Sequence, residues 1–166
     1  EILAGAIQDY GRGLVIGDTT THGKGTVQSL VNLNSILFSR IKNPPNEFGA
    51  LKITTQQFYR PNGDSTQKRG VLSDLVLPSI SDNMDNIGEA DLDYPVKFDR
   101  VPEASFAKLK MNRQDITAAL RTKSKERIDS SDEFQKEISK INKYIELKNE
   151  KSISLNEAKF IARRKE

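Results

Sequence analysis

Apolar positions follow two regimes along this chain. Ile2, Leu3, Ala6, Ile7 and Tyr10 recur at the spacing of one helical face, and Gly11 follows as a stop signal. Short β-branched and apolar runs come next and predict four strands: Leu14 to Gly17, Gly25 to Leu33, Leu51 to Arg60 and Val71 to Ser79. The third run closes on Pro61-Asn62-Gly63-Asp64, a turn sequence. From residue 101 the period becomes helical. Ser130 with Glu133 has the S-x-x-E pattern of a capping box, ahead of Phe134, Ile138, Ile141 and Ile145 on one helical face. Ser154 with Glu157 repeats the device. The pattern therefore predicts an α/β region over 1–80 and an all-helical region over 101–166, joined by a linker or irregular surface loop over 81–100.

Charge sharpens that division. Residues 81–100 hold six acids against two bases and read as a solvated connection. Residues 101–166 carry sixteen bases against eleven acids, and residues 1–80 eight against six. A basic surplus is compatible with nucleic acid. Here the lysines alternate with glutamates and no aromatic platform is interleaved with them, so the surplus reads as solvated helix faces. Length permits one domain or two small ones. The absence of cysteine excludes a disulfide framework and a thiol nucleophile. The single histidine, His22, excludes a multi-histidine metal site and reads as a surface loop residue. The first helix opens without a capping residue, which leads to the expectation that the chain is a fragment of a longer protein.

One octapeptide carries candidate chemistry: Thr21-His22-Gly23-Lys24-Gly25-Thr26-Val27-Gln28. A phosphate-binding loop would need G-x-x-x-x-G-K-[ST]. The interval from Gly17 to Gly23 is one residue too long, and glycine follows Lys24 where a hydroxyl residue is required. A solvated lysine in a glycine-rich turn is the plain alternative, since lysines are rarely buried. The third reading is a general base. An amine abstracts a proton near neutrality only where desolvation disfavours its charged form, and it needs a hydroxyl nucleophile within hydrogen-bond reach. Gln28 lies four residues on, a spacing that keeps both side chains on one face of an extended strand. Its neutral amide can orient the amine without favouring the ammonium form as a carboxylate would.

The stretch EILAGAIQDYGRGLVIGDTTTHGKGTVQ resembles the segment that follows the nucleophile in tail-specific (carboxy-terminal processing) serine proteases. QQFYRPNGDSTQKRGVLSDLVLP resembles a later strand of that family and its S-T-Q…G-V…D stretch, and residues 101–166 resemble the helical C-terminal region of its long bacterial members. The resemblance implies an incomplete Clp-protease/crotonase-like core over 1–80. It implies a Ser/Lys dyad whose serine lies a few residues before Glu1, with Lys24 as general base and Gln28 as its orienter. Asp9 matches an aspartate of the long members, which implies a supporting place in the catalytic site; its competing reading is a structural acid with a cationic partner, Arg12 being the nearest choice in sequence. The oxyanion donors and a PDZ domain would lie upstream. No metal or cofactor is implied, and the fragment alone is expected to be inactive. The implied partners are proteins or peptides with accessible C-termini, the upstream parts of the same parent chain and an adaptor protein, with no nucleic acid. The implied location is the bacterial periplasm or cell envelope. Two rival readings are a non-catalytic peptide- or partner-binding module derived from such a protease, and a basic adaptor that docks through residues 101–166.

Overall fold

A computed structural model of the chain describes residues 1–37, 47–111, 114–152 and 154–163. The first helix, α1 (Ile2–Asp9), forms where the sequence predicts it and has no side-chain cap at its start. It ends as its glycine requires. Gly11 takes φ 62°, a left-handed value that suits a residue without Cβ. That turn lets Gly11 N donate to the Gln8 carbonyl and Arg12 N to the Ile7 carbonyl, each at 2.9 Å, which satisfies two helix-end carbonyls.

The four expected strands appear as two pairs. β1 (Ile16–Gly17) runs parallel to β4 (Leu75–Val76), and β2 (Thr26–Asn32) pairs antiparallel with β3 (Ala50–Gln57). A short helix, α2 (Leu33–Leu37), follows β2 directly. The first and fourth strands are shorter than the sequence predicts, because their flanking backbone groups are committed to irregular bonds. Thr21 N donates to Val71 O at 3.2 Å and Ser73 N to Thr19 O at 3.1 Å, while the Asp74 carboxylate takes Val15 N at 2.8 Å. The turn after β3 forms as expected, with Gly63 N donating to Arg60 O at 2.8 Å.

The interior of this region is notably polar. Ser65, Thr66 and Gln67 are 2%, 0% and 0% exposed, beside Val71 at 0%. Burial of that much polar surface is tolerable only if each group is bonded. Among the described residues no buried side-chain nitrogen or oxygen lacks a partner.

Residues 81–100 take the form of an irregular loop with two single 3₁₀ turns, Ser81–Asn83 and Glu89–Asp91. The reading as a freely solvated connection is corrected at several points. Glu89 is buried, the Asp82 carboxylate accepts from the Thr19 hydroxyl at 2.8 Å, and the Asp99 carboxylate accepts from the Tyr59 hydroxyl at 3.0 Å. Arg69 lies over the Phe98 ring, 4.6 Å from its centroid. The acids of this stretch are therefore partly spent on hydrogen-bond donors of residues 1–80 rather than on water.

Helix does not begin at residue 101. Residues 101–111 form no helix or strand, and their later part meets the end of α1, with Leu109 N on Tyr10 O and Met111 N on Gly11 O, each at 2.8 Å, and Phe106 edge-on to Tyr10. The helices are α3 (Gln114–Ser130), α4 (Asp132–Asn149) and α5 (Glu157–Arg163). Both expected caps shift. Ser130 is still helical, and Ser131, in an extended conformation, caps α4 by accepting from Phe134 N at 3.5 Å. Asn156 rather than Ser154 accepts from Lys159 N in the first turn of α5. The apolar face of α4 holds as read: Ile141 is buried, and Phe134, Ile138 and Ile145 are half-buried. Arg121 of α3 donates to the Asp74 carbonyl at 2.9 Å, which ties the helical region to β4.

Candidate active site

Lys24 sits in the loop that leads from β1 into β2, just before the strand begins. Its backbone is fixed by what lies underneath. Gly23 O accepts from Lys68 N at 2.7 Å, and Gly25 O accepts from Phe58 N at 2.9 Å. A Cβ on Gly25 would meet Gln67 N and Ser65 Oγ at 2.8 Å, too close to be accommodated. A Cβ on Gly23 would meet the Lys68 carbonyl carbon at 3.0 Å, and φ there is +88°. The two glycines thus permit close seating of the loop on residues 65–68.

The amine and its expected orienter meet. Lys24 Nζ donates to Gln28 Oε1 at 2.8 Å. The route differs from the sequence argument, since Lys24 precedes the strand and simple alternation does not reach it. The register of β2 against β3 also shifts between Val27 and Gln28, an irregularity of the kind that re-aims side chains in a sheet. Gln28 is exposed and Lys24 half-exposed. His22 is exposed, as expected.

Asp9 is not joined to this pair: no hydrogen bond or ion pair among the described residues links it to Lys24 or Gln28. Its partner is Arg60, not Arg12. Arg60 Nη2 and Nε reach the two Asp9 oxygens at 2.6 and 3.0 Å, with the side chains 13% and 6% exposed. Distance in sequence misled here, because the turn after β3 folds Arg60 across Gly5 of α1, 3.1 Å from where a Cβ would stand. The planar guanidinium meets the carboxylate through two parallel bonds, which a local pairing with Arg12 does not provide.

Three further residues hold the lysine loop, and sequence reasoning did not single them out. The Glu1 carboxylate accepts from Gly23 N at 2.6 Å and from the Thr21 hydroxyl at 2.5 Å. Gln67 Oε1 accepts from Gly25 N at 2.8 Å, and its Nε2 donates to Glu89 Oε1 at 2.9 Å. Glu89 N in turn donates to His22 O at 2.8 Å. The usable signal for Gln67 was the S-T-Q stretch itself; Glu89 had none, lying in an acidic run. Among the described residues no cluster of three or more histidines, cysteines or carboxylates is arranged to hold a metal ion.

The structure thus holds the Lys24 amine on a neutral acceptor, on a loop locked to the start of α1. Residues 83–166 match the C-terminal domain of tail specific protease, and residues 1–77 match peptidase family S41. The chain belongs to the tail-specific protease family. Its relatives include a tail-specific protease of Haemophilus influenzae, 44% identical over 106 residues, which cover 64% of this chain and 14% of that protein. A carboxy-terminal-processing protease of Bartonella bacilliformis is 37% identical over 102 residues, 58% of this chain and 20% of that protein. A carboxyl-terminal-processing protease of a Picosynechococcus species is 34% identical over 100 residues, 60% of this chain and 21% of that protein. The chain thus spans only a small part of the length of the relatives it matches.

Proposed function

We propose that this chain is the C-terminal part of an endopeptidase that cleaves proteins near their C-termini by a Ser/Lys dyad. Lys24 is the general base, Gln28 orients its amine, and the serine precedes Glu1 on a Clp-protease/crotonase-like core. The location that goes with this reading is the bacterial periplasm or cell envelope, and a PDZ domain and an adaptor protein are its further partners.

The observation that carries the reading is the grip of Glu1 on Gly23. It sets the residue before Lys24 against the start of α1, the end of the chain where a serine just upstream would lie. In the reaction the neutral Lys24 amine takes the serine hydroxyl proton as the oxygen attacks the peptide carbonyl. The tetrahedral intermediate collapses, the C–N bond breaks, and Lys24 returns the proton to the leaving amine. Water then hydrolyses the acyl-enzyme with Lys24 again as base. Gln28 Oε1 accepts one amine hydrogen throughout, which directs the nitrogen without adding a negative charge that would favour the ammonium form.

The test is cleavage of an unfolded protein substrate by the parent enzyme. Cleavage near the substrate C-terminus is expected, lowered about 10²–10⁴-fold by Lys24→Ala and to a smaller degree by Gln28→Ala. Undiminished cleavage by Lys24→Ala would remove the lysine from the chemistry. No cleavage by the unaltered parent would favour a non-catalytic binding module.

A further inference from the structure

The loop around Lys24 is held from two sides by one acidic residue that belongs to another part of the chain. Glu89 N donates to His22 O at 2.8 Å, on one flank of the lysine. Glu89 Oε1 accepts from Gln67 Nε2 at 2.9 Å, and Gln67 Oε1 accepts from Gly25 N at 2.8 Å, on the other flank. Gln67 is 0% exposed and Glu89 8% exposed, so neither bond is shared freely with water. Both amide ends of Gln67 are used, and its orientation is fixed: the oxygen must face Gly25 N–H, so the NH₂ must face an acceptor. Glu89 supplies that acceptor. It lies within residues 83–166, which match the C-terminal domain of the family, whereas Lys24, Gly25 and Gln67 lie within residues 1–77.

We infer that Glu89 and Gln67 are positioning residues for Lys24, through which the C-terminal domain sets the geometry of the catalytic base. The inference rests on Lys24 being that base. The Gln67 carboxamide could rotate or withdraw if Glu89 did not accept from it, and Gly25 would lose the bond that seats the loop. A base displaced by a fraction of a bond length remains in the site but transfers its proton poorly. Among the described residues neither side chain hydrogen-bonds the Lys24 amine itself, so the effect falls on turnover rather than on substrate binding.

The experiment measures kcat, KM and the pH–rate profile of peptide hydrolysis by the parent enzyme and its Glu89→Ala, Glu89→Gln and Lys24→Arg variants. Each is assayed at a temperature where thermal unfolding shows it folded. Glu89→Ala is expected to lower kcat by up to about 10²-fold, with KM little changed. Glu89→Gln keeps a neutral oxygen that can accept from Gln67 and recovers most of that loss. If Glu89→Ala does not fold, Glu89→Met replaces it, keeping length and bulk while removing the acceptor, and the same criteria apply. Unchanged kcat in the variant without an acceptor overturns the inference, as does a Glu89→Gln enzyme no better than that variant. A Lys24→Arg enzyme that retains kcat overturns the base assignment instead, so the two failures are told apart.

Discussion

At the scale of single residues, the most strongly committed pair is Asp9 with Arg60. Both side chains are largely withdrawn from water, and the carboxylate accepts two guanidinium bonds. Removing one partner of such a pair leaves the other charge buried and uncompensated, at a cost of about 3–5 kcal/mol. Asp9→Asn and Arg60→Met should each destabilise by that order. The double variant should lose less than their sum, because the second change removes the stranded charge. Urea unfolding of the four proteins checks this, and strictly additive losses would show the pair to be uncoupled. This was half legible in the sequence. An acid at the C-terminal end of α1 faces an unfavourable helix dipole and so called for a cation. Nothing in the sequence said that a residue fifty-one positions away would supply it.

At the scale of elements, α4 meets the acidic loop through Lys148, whose Nζ donates to Asp85 Oδ1 and to Asn83 O, each at 2.7 Å. The Asp85 hydrogen bond raises the Lys148 pKa above its ordinary value, burial opposing it more weakly. A raised pKa in a lysine means that the attachment is fully present below the unfolded-state value, about 10.4, and is lost as pH rises through the folded-state value. The stability difference between the native protein and Lys148→Met should therefore be constant to about pH 10 and shrink above it. A difference that grows with alkalinity would contradict this sign. Elements were the most legible scale for helices and the least for strand length. The face of α4 follows from a repeat of apolar residues that any burial must respect. β1 and β4 came out short because Asp74, Thr19 and Thr21 capture backbone groups that a sheet would use. The caps moved by one or two residues because serine or asparagine at adjacent positions can each accept from a first-turn N–H, and the backbone conformation decides which.

At the scale of the whole molecule, three distant parts of the chain meet on one loop. Glu1 holds it from α1, Gln67 from below and Glu89 from the acidic segment, while Lys24 points its amine to Gln28. The contact of Lys24 with Gln28 was legible in the sequence because the two lie four residues apart in a stretch whose resemblance to a protease motif is specific. The clamp was not, since it joins residues sixty-seven and twenty-two positions apart through groups whose burial only the fold decides. The account turns on Lys24 exchanging a proton during catalysis rather than supplying a fixed positive charge. The most direct measurement is the pH–rate profile of the parent enzyme beside its Lys24→Arg and Lys24→Ala variants. Arginine keeps its proton at any working pH, so both variants should lose about 10²–10⁴-fold in kcat. A Lys24→Arg enzyme that keeps most of its kcat across the profile would contradict the general-base assignment.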